Sequence, residues 1–120
     1  MYSLEELRQK KKELEDLKNE LEKNRNEILE KIKKLKEKES KIFEEMRKTR
    51  DYIRASRLEL YLMKISDERK KLEQKLEEIE RKLRGVNSVL EDVARKIEIL
   101  KPKEVKWVVE YSKDSESTKE

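Results

Sequence analysis

The 120-residue chain is 52% charged and 33% hydrophobic, and it contains one Gly and one Pro. So few apolar residues exclude a large globular core, and so few Gly and Pro exclude a fold with many turns. Thirty-three basic and twenty-nine acidic residues leave a formal net charge of only +4, which is weak evidence for a nucleic-acid partner.

The chain contains neither Cys nor His, which removes the commonest parts of catalytic and metal sites. Without them there is no disulfide framework, no thiolate zinc site and no nucleophilic triad of the usual kind. Acid–base chemistry would depend on carboxylates exposed to water along a rod. We therefore expect a protein that is not an enzyme, with no cofactor, no metal and no small-molecule substrate.

No apolar run approaches the ~20 residues that cross a bilayer. The first residues, MYSLEE, lack the basic and apolar regions of a signal peptide. The sequence therefore predicts a cytoplasmic protein that meets membranes only indirectly, through other proteins.

A first helix is predicted over residues 3–53. Ser3 and Glu6 form a capping box, in which Ser3 accepts a hydrogen bond from the first turn of the helix. Apolar residues then recur at spacings of three and four, with two consecutive steps of four from Asn24 through Ile28 to Ile32. Two such steps form a stutter, which locally unwinds a coiled coil. Asn24 is interpreted either as a polar seam residue that fixes register or as an exposed amide.

The phase of the apolar pattern breaks between Ile53 and Leu58, so the helix must be interrupted there. Ser56 and Glu59 form a second capping-box pattern, the strongest local signal for a new helix start. We therefore predict a turn at about residues 51–57.

The second predicted helix, residues 57–101, carries the most regular feature of the sequence. Thirteen positions spaced alternately by four and three residues are all aliphatic except one. They are Leu58, Leu62, Ile65, Arg69, Leu72, Leu76, Ile79, Leu83, Val86, Leu90, Val93, Ile97 and Leu100. The pattern stays in phase across Gly85, which favours a continuous helix, and Pro102 ends it. A narrow apolar stripe of this kind is typical of a coiled-coil seam.

Two helices of similar length joined by a turn predict an all-α fold, an antiparallel coiled-coil hairpin over residues 1–101. The alternative is one continuous helix of nearly a hundred residues that pairs in parallel with a second chain, since no Gly or Pro marks the turn.

Residues 102–120 are predicted to be a C-terminal extension. Val105, Trp107, Val109 and Tyr111 recur at every second position, as in a short extended segment, although a helix that begins near Pro102 also fits. We expect disorder after residue 111. Trp107 is a candidate partner-binding residue, either as an anchor for a partner or as a side chain packed on the open end of the hairpin.

The other candidate partner-binding residues are apolar side chains that the seam does not use. Leu60, Tyr61 and Met63 lie off the second stripe, just after the predicted turn, and we interpret them as a docking site. In the alternative interpretation, turn residues such as Tyr52 and Ile53 fold back over them and bury them.

Residues 2–8 (YSLEELR), 60–65 (LYLMKI) and 95–101 (RKIEILK) are three stretches that together resemble the flagellar type III export ATPase stalk family and its virulence-secretion relatives. Residues 2–8 (YSLEELR) are similar to the family's aromatic and leucine opening, and residues 60–65 (LYLMKI) are similar to its Tyr-containing middle segment. Residues 95–101 (RKIEILK) are similar to its closing run, in which a basic pair precedes a Glu and a Leu. The resemblance implies a small, highly charged cytosolic hairpin that does not hydrolyse ATP itself.

The resemblance also implies which proteins this chain would meet. The hairpin would be a stalk inserted in the hexameric export ATPase ring, in the manner of the central shaft of rotary ATPases. It would also contact the export gate and the export chaperones. Its paired termini would enter the ring, and the region of residues 60–65 would face the gate.

Three other functions fit the same residues. The chain is alternatively a central or peripheral stalk of another rotary ATPase, an RNA-binding helical hairpin that dimerises into a four-helix bundle, or a plain coiled-coil scaffold. Binding that collapses with added salt would favour the RNA-binding hairpin, and absence of binding at low salt would remove it.

Overall fold

A computed structural model describes residues 3–101 of the chain, and they form two long helices. Helix α1 spans Leu4–Lys48 and helix α2 spans Tyr52–Leu100. At 1.5 Å of rise per residue each helix is about 70 Å long. Leu7, near the start of α1, packs with Val93 and Ile97, near the end of α2. The helices are therefore antiparallel, and residues 3–101 form the predicted all-α hairpin and not one continuous helix.

The sequence carried local signals for the start of α1 and for the end of α2, and both lie where they were predicted. The Oγ of Ser3 accepts a hydrogen bond from the backbone N–H of Glu6 at 3.2 Å. Ser3 is the N-cap, and α1 begins at Leu4. Helix α2 ends at Leu100, and Lys101 is extended with φ −61° and ψ 145°. Lys101 precedes Pro102, whose ring disfavours a helical conformation at the residue before it.

The turn differs from the prediction of residues 51–57, because α1 ends at Lys48 and the connection is residues 49–51. Asp51 caps α2: its Oδ1 accepts hydrogen bonds from the backbone N–H groups of Ile53 at 3.0 Å and Arg54 at 3.3 Å. Ser56 lies inside α2 and is exposed. Asp is as good an N-cap as Ser, so the capping-box pattern at Ser56 was not decisive.

Helix α2 is continuous through Gly85, as its unbroken apolar phase predicted. A Cβ atom at Gly85 would meet nothing within 4 Å. No close approach of another segment therefore requires a glycine there.

The seam of α2 follows the predicted stripe. Every predicted position from Leu58 to Ile97 is buried or half-buried, whereas Leu100 at the open end is 42% exposed. Ala55, three residues before Leu58, is also half-buried, so the seam begins almost at the turn. The regular period keeps one face of α2 against α1 along its whole length.

The seam of α1 is more regular than the sequence predicted, and it contains no stutter. Asn24 and Leu17 are exposed, whereas Lys18 and Arg25 are half-buried. With these two residues the seam continues in alternating steps of three and four from Leu4 to Thr49. Lys and Arg can lay their apolar stems against a neighbouring helix while the charge stays in water. Basic residues are therefore tolerated at these two positions, and the regular heptad of α2 decides which face of α1 is covered.

A charged network crosses the seam in the half of the rod that is nearer to the turn. The Nε of Arg69 donates to Glu39 Oε1 at 2.6 Å, and its Nη1 donates to Glu73 Oε1 at 2.9 Å. The Arg69 and Glu39 side chains are only 20% and 13% exposed. These two hydrogen bonds raise the pKa of the Arg69 guanidinium above its ordinary value, and the bond to Glu39 has the larger effect. The network thus ties one turn of α1 to one turn of α2 and helps to fix their register.

Candidate docking site at the turn

The first three turns of α2 carry the predicted docking residues on the surface of the hairpin. Leu60 is 68% exposed, Tyr61 is 52% exposed and Met63 is 58% exposed. They are exposed because Leu58, Leu62 and Ile65 take the seam positions and therefore face α1.

The turn residues do not cover this site. Tyr52 is 86% exposed and Ile53 is 65% exposed, so the interpretation in which they fold back and bury Leu60, Tyr61 and Met63 is wrong. Asp51 starts α2 directly before them, and the helix then directs both side chains into water. Tyr52 and Ile53 enlarge the exposed apolar area instead.

We call these five residues the turn-end surface: Tyr52, Ile53, Leu60, Tyr61 and Met63. Three of them, Ile53, Leu60 and Met63, are separated by seven and three residues and therefore lie on one outer face of α2. This stripe is about 15 Å long at 1.5 Å per residue. It faces away from α1, because Leu60 lies two residues from the seam positions Leu58 and Leu62 and is therefore on the opposite side of the helix.

Cationic side chains accompany the turn-end surface. Arg57 and Lys64, seven residues apart, lie along one edge of the stripe, and Arg54 lies beyond them on the same side. None of these three, nor Arg50 in the turn, forms an ion pair with another residue in the part of the chain that the structure describes. These cations are therefore not held in direct ion pairs within residues 3–101. The site combines apolar contact area with positive charge.

The other exposed apolar side chains do not form a comparable stripe. Phe43, on α1 near the turn, is 57% exposed, but it lies on the other helix. Leu17, Leu29 and Val89 are singly placed along the rod and 40 to 44% exposed. At the open end Ile99 is 71% exposed beside Leu100.

Trp107, the second predicted partner-binding residue, lies outside the described residues 3–101, and its proposed role stays a prediction. Binding by Leu60, Tyr61 and Met63 also stays a prediction, although their exposure is now established. Sequence reasoning missed Ile53 and Phe43 as exposed residues. For Ile53 the signal was present, because it lies seven residues before Leu60 and is out of phase with the seam of α2.

A shallow open depression on α1 is lined by Leu29, Ile32, Lys33, Lys36, Glu37 and Ser40. Within residues 3–101, no group of three or more carboxylates is placed to hold a metal ion. Over the same residues, neither helix has a segment sufficiently long and apolar to cross a membrane.

Comparison with protein-family models, with curated proteins and with solved structures finds no match to this chain. The hairpin geometry and the turn-end surface are therefore the basis for any statement about what the protein does.

Proposed function

We propose that this chain is a non-catalytic coiled-coil stalk or adaptor that binds a protein partner through its turn-end surface. The observation that carries the proposal is the exposure of Tyr52, Ile53, Leu60, Tyr61 and Met63, which lie off the seam. The seam positions of α2 from Leu58 to Ile97 are buried or half-buried against α1. Exposed apolar side chains concentrated near one end of a rod mark a place where another macromolecule binds. A rigid helix pair holds that surface about 70 Å from its open end.

We further propose that the partner belongs to a flagellar or virulence-type protein export apparatus in the cytoplasm. The support is the resemblance of residues 2–8, 60–65 and 95–101 to the export stalk family, together with a hairpin of the required shape. In this proposal the open end engages the hexameric export ATPase, the turn end engages the export gate, and export chaperones bind along the rod. The partner hydrolyses ATP, and the hairpin transmits force and position.

The proposal is tested by photo-crosslinking in the source cells. A photoreactive amino acid replaces Tyr61 in the turn-end surface, and a second variant carries it at Gln74, an exposed position further along α2. We expect export-gate proteins to be crosslinked from position 61 and not from position 74, with crosslinked peptides identified by mass spectrometry. Equal crosslinking from both positions, or no protein crosslinked from position 61, would contradict the docking role.

A triple-serine variant separates partner binding from folding. Because Leu60, Tyr61 and Met63 are more than half exposed, replacing all three by Ser should change the free energy of unfolding by less than about 1 kcal/mol. Circular dichroism would measure the unfolding, and capture of the same partner should be lost. If this variant instead unfolds, the three residues belong to the core and the surface is not a docking site.

A further inference from the structure

The antiparallel fold concentrates positive charge at the turn end of the rod. Glu39 lies beside Arg69, so folding at residues 49–51 brings residues 31–48 alongside residues 52–75. Residues 31–75 contain sixteen basic and nine acidic residues, which gives a net charge of +7. The other half of the hairpin, residues 3–30 and 76–101, contains thirteen basic and fifteen acidic residues, which gives −2. The net charge of the whole chain therefore hides a strong asymmetry along the rod.

Much of this charge is free to meet a partner. Residues 31–41 contain six Lys, and none of the six forms an ion pair within residues 3–101. Nearer to the turn-end surface, Arg54, Arg57 and Lys64 are likewise without ion pairs among the described residues. Exposed cations of this kind attract an acidic partner over a distance of about one Debye length, roughly 8–10 Å at physiological salt.

The two edges of the apolar stripe differ in charge. Arg57 and Lys64 lie on one edge, whereas Glu59 and Tyr52 lie on the other. A uniformly anionic surface, such as a membrane or a nucleic-acid backbone, would repel Glu59 on its edge of the stripe. A nucleic acid would also leave the apolar side chains of the stripe without a partner. A narrow partner with acidic residues along one side fits both edges.

A second copy of the chain is a poor occupant of the same surface. It would bring another turn end of the same positive charge against the first one, and like charges placed together oppose association. The apolar stripe is also only about 15 Å long, which is short for a stable homodimer. Its size is better suited to one helical segment of a different protein.

We propose that the turn-end surface binds an acidic amphipathic helix of a protein partner, with the apolar face on Ile53, Leu60 and Met63 and the carboxylates toward Arg57 and Lys64. This inference rests on the proposed function, since it names the chemistry of the segment that the stalk would bind. Apolar residues at helical spacing on the partner match the seven-and-three spacing of the stripe. The charges set orientation and association rate, and the apolar contact supplies most of the affinity.

A selection experiment tests this inference and does not require the partner to be identified first. The full-length protein is immobilised and presented with a phage-displayed library of randomised helical segments. We expect selected segments to carry apolar residues at helical spacing and an excess of Asp and Glu. The selected peptide, labelled and titrated by fluorescence anisotropy, should bind roughly tenfold more weakly to R57E/K64E, at about 0.7 kcal/mol for each lost charge pair.

Matched variants make the result decisive. Selection against R57E/K64E should yield basic segments in place of acidic ones, and selection against L60S/M63S should yield no enrichment. K82E/R84E, which changes two exposed cations in the other half of the rod, should select the same acidic segments as the unmodified protein. Basic or uncharged segments from the unmodified protein, or unchanged enrichment with L60S/M63S, would overturn the inference.

Vesicles that contain phosphatidylglycerol and a single-stranded RNA oligonucleotide complete the test. Binding of either at physiological salt, abolished both by R57E/K64E and by L60S/M63S, would assign the surface to a membrane or a nucleic acid and overturn the inference. Failure here is distinguishable from failure of the proposed function. If selection yields no acidic helix while Tyr61-position crosslinking still gives a protein, only the present inference fails, whereas crosslinking to no protein removes the proposed function itself.

Discussion

Two arginines enter the seam between the helices, and their surroundings differ. Arg69 donates hydrogen bonds to Glu39 on α1 and to Glu73 on its own helix. The Nε of Arg25 is buried without a hydrogen-bond partner. A buried donor without an acceptor costs free energy, whereas the Nε and Nη1 of Arg69 both have carboxylate acceptors. Arg25 therefore carries a cost at its seam position that the Nε of Arg69 does not.

We expect Arg25→Leu to stabilise the hairpin. It removes the unsatisfied Nε and supplies an apolar side chain at a half-buried seam position, so the free energy of unfolding should rise by about 1 kcal/mol. Thermal unfolding followed by circular dichroism measures the change. Arg84→Leu is the matched control, because Arg84 is exposed and Arg and Leu have similar helix propensities. An equal gain from both variants would show that Arg25 carries no special cost.

The raised pKa of Arg69 gives a prediction about alkaline pH. Because its folded-state pKa is raised, the stability that Arg69 contributes is fully present below its ordinary pKa and is lost only as pH rises through the higher folded value. Lysine has an ordinary pKa of about 10.4 and donates no planar fork, so Arg69→Lys should be less stable than the unmodified protein and should lose further stability as the pH rises above about 10.4.

The measurement for Arg69→Lys is the difference in unfolding free energy between the variant and the unmodified protein, taken at each pH. The difference cancels the titration of the other lysines, which both proteins share. We expect the difference to widen as the pH rises. A difference that stays constant as the pH rises well above about 10.4 would mean that the charge at position 69 does not stabilise the hairpin.

The element that joins the helices depends on one capping residue. Asp51 accepts hydrogen bonds from two backbone N–H groups of α2, whereas Ser56 is exposed in the second turn of that helix. In α1 the C-cap Thr49 donates its backbone N–H to the carbonyl of Glu45 at 2.9 Å. The turn therefore needs neither Gly nor Pro, and no residue in 3–101 has a positive φ.

Asp51→Ala should lower the free energy of unfolding by about 1 kcal/mol, since it leaves two backbone N–H groups at the start of α2 without their acceptor. Asp51→Asn should retain most of the stability, because Asn is an equally good N-cap. Ser56→Ala is the control and should change stability by less than about 0.5 kcal/mol. Urea unfolding of the three variants provides the measurement, and a larger loss for Ser56→Ala than for Asp51→Ala would move the helix start to the sequence-predicted position.

At the scale of the whole molecule, the antiparallel pairing decides which residues become neighbours. Leu7 packs with Val93 and Ile97, although they lie near opposite ends of the described chain. The same pairing places two moderately basic segments side by side and yields a turn half with a charge of +7. A parallel pairing of two chains would instead place each segment beside its own copy.

A cysteine pair tests the antiparallel hairpin directly. The natural chain contains no Cys, so Leu7→Cys with Ile97→Cys introduces the only two thiols. We expect a short bismaleimide to link them within one chain, which mass spectrometry would detect as a crosslinked monomer. The matched pair Leu7→Cys with Ser56→Cys places the thiols at opposite ends of the rod and should give no intramolecular link. Covalent dimers from the first pair would indicate association between chains instead.

Sequence alone determined the features that depend on near neighbours in the chain. The start of α1 at Ser3 and the end of α2 before Pro102 follow from capping and proline sterics, which act over three or four residues. The seam of α2 was also predictable, because nearly all of its positions are aliphatic and their period is unbroken. From that seam it followed that Leu60, Tyr61 and Met63 face away from α1.

Only the tertiary structure decided what depends on the partner helix. Lys18 and Arg25, not Leu17 and Asn24, occupy the seam of α1, because the heptad of α2 fixes which face is covered and long basic stems tolerate that position. The sequence likewise did not determine that Tyr52 is exposed, or that the turn half of the rod collects a net positive charge. Burial and local charge are sums over residues that meet in space, and for this chain those residues lie on opposite arms of the hairpin.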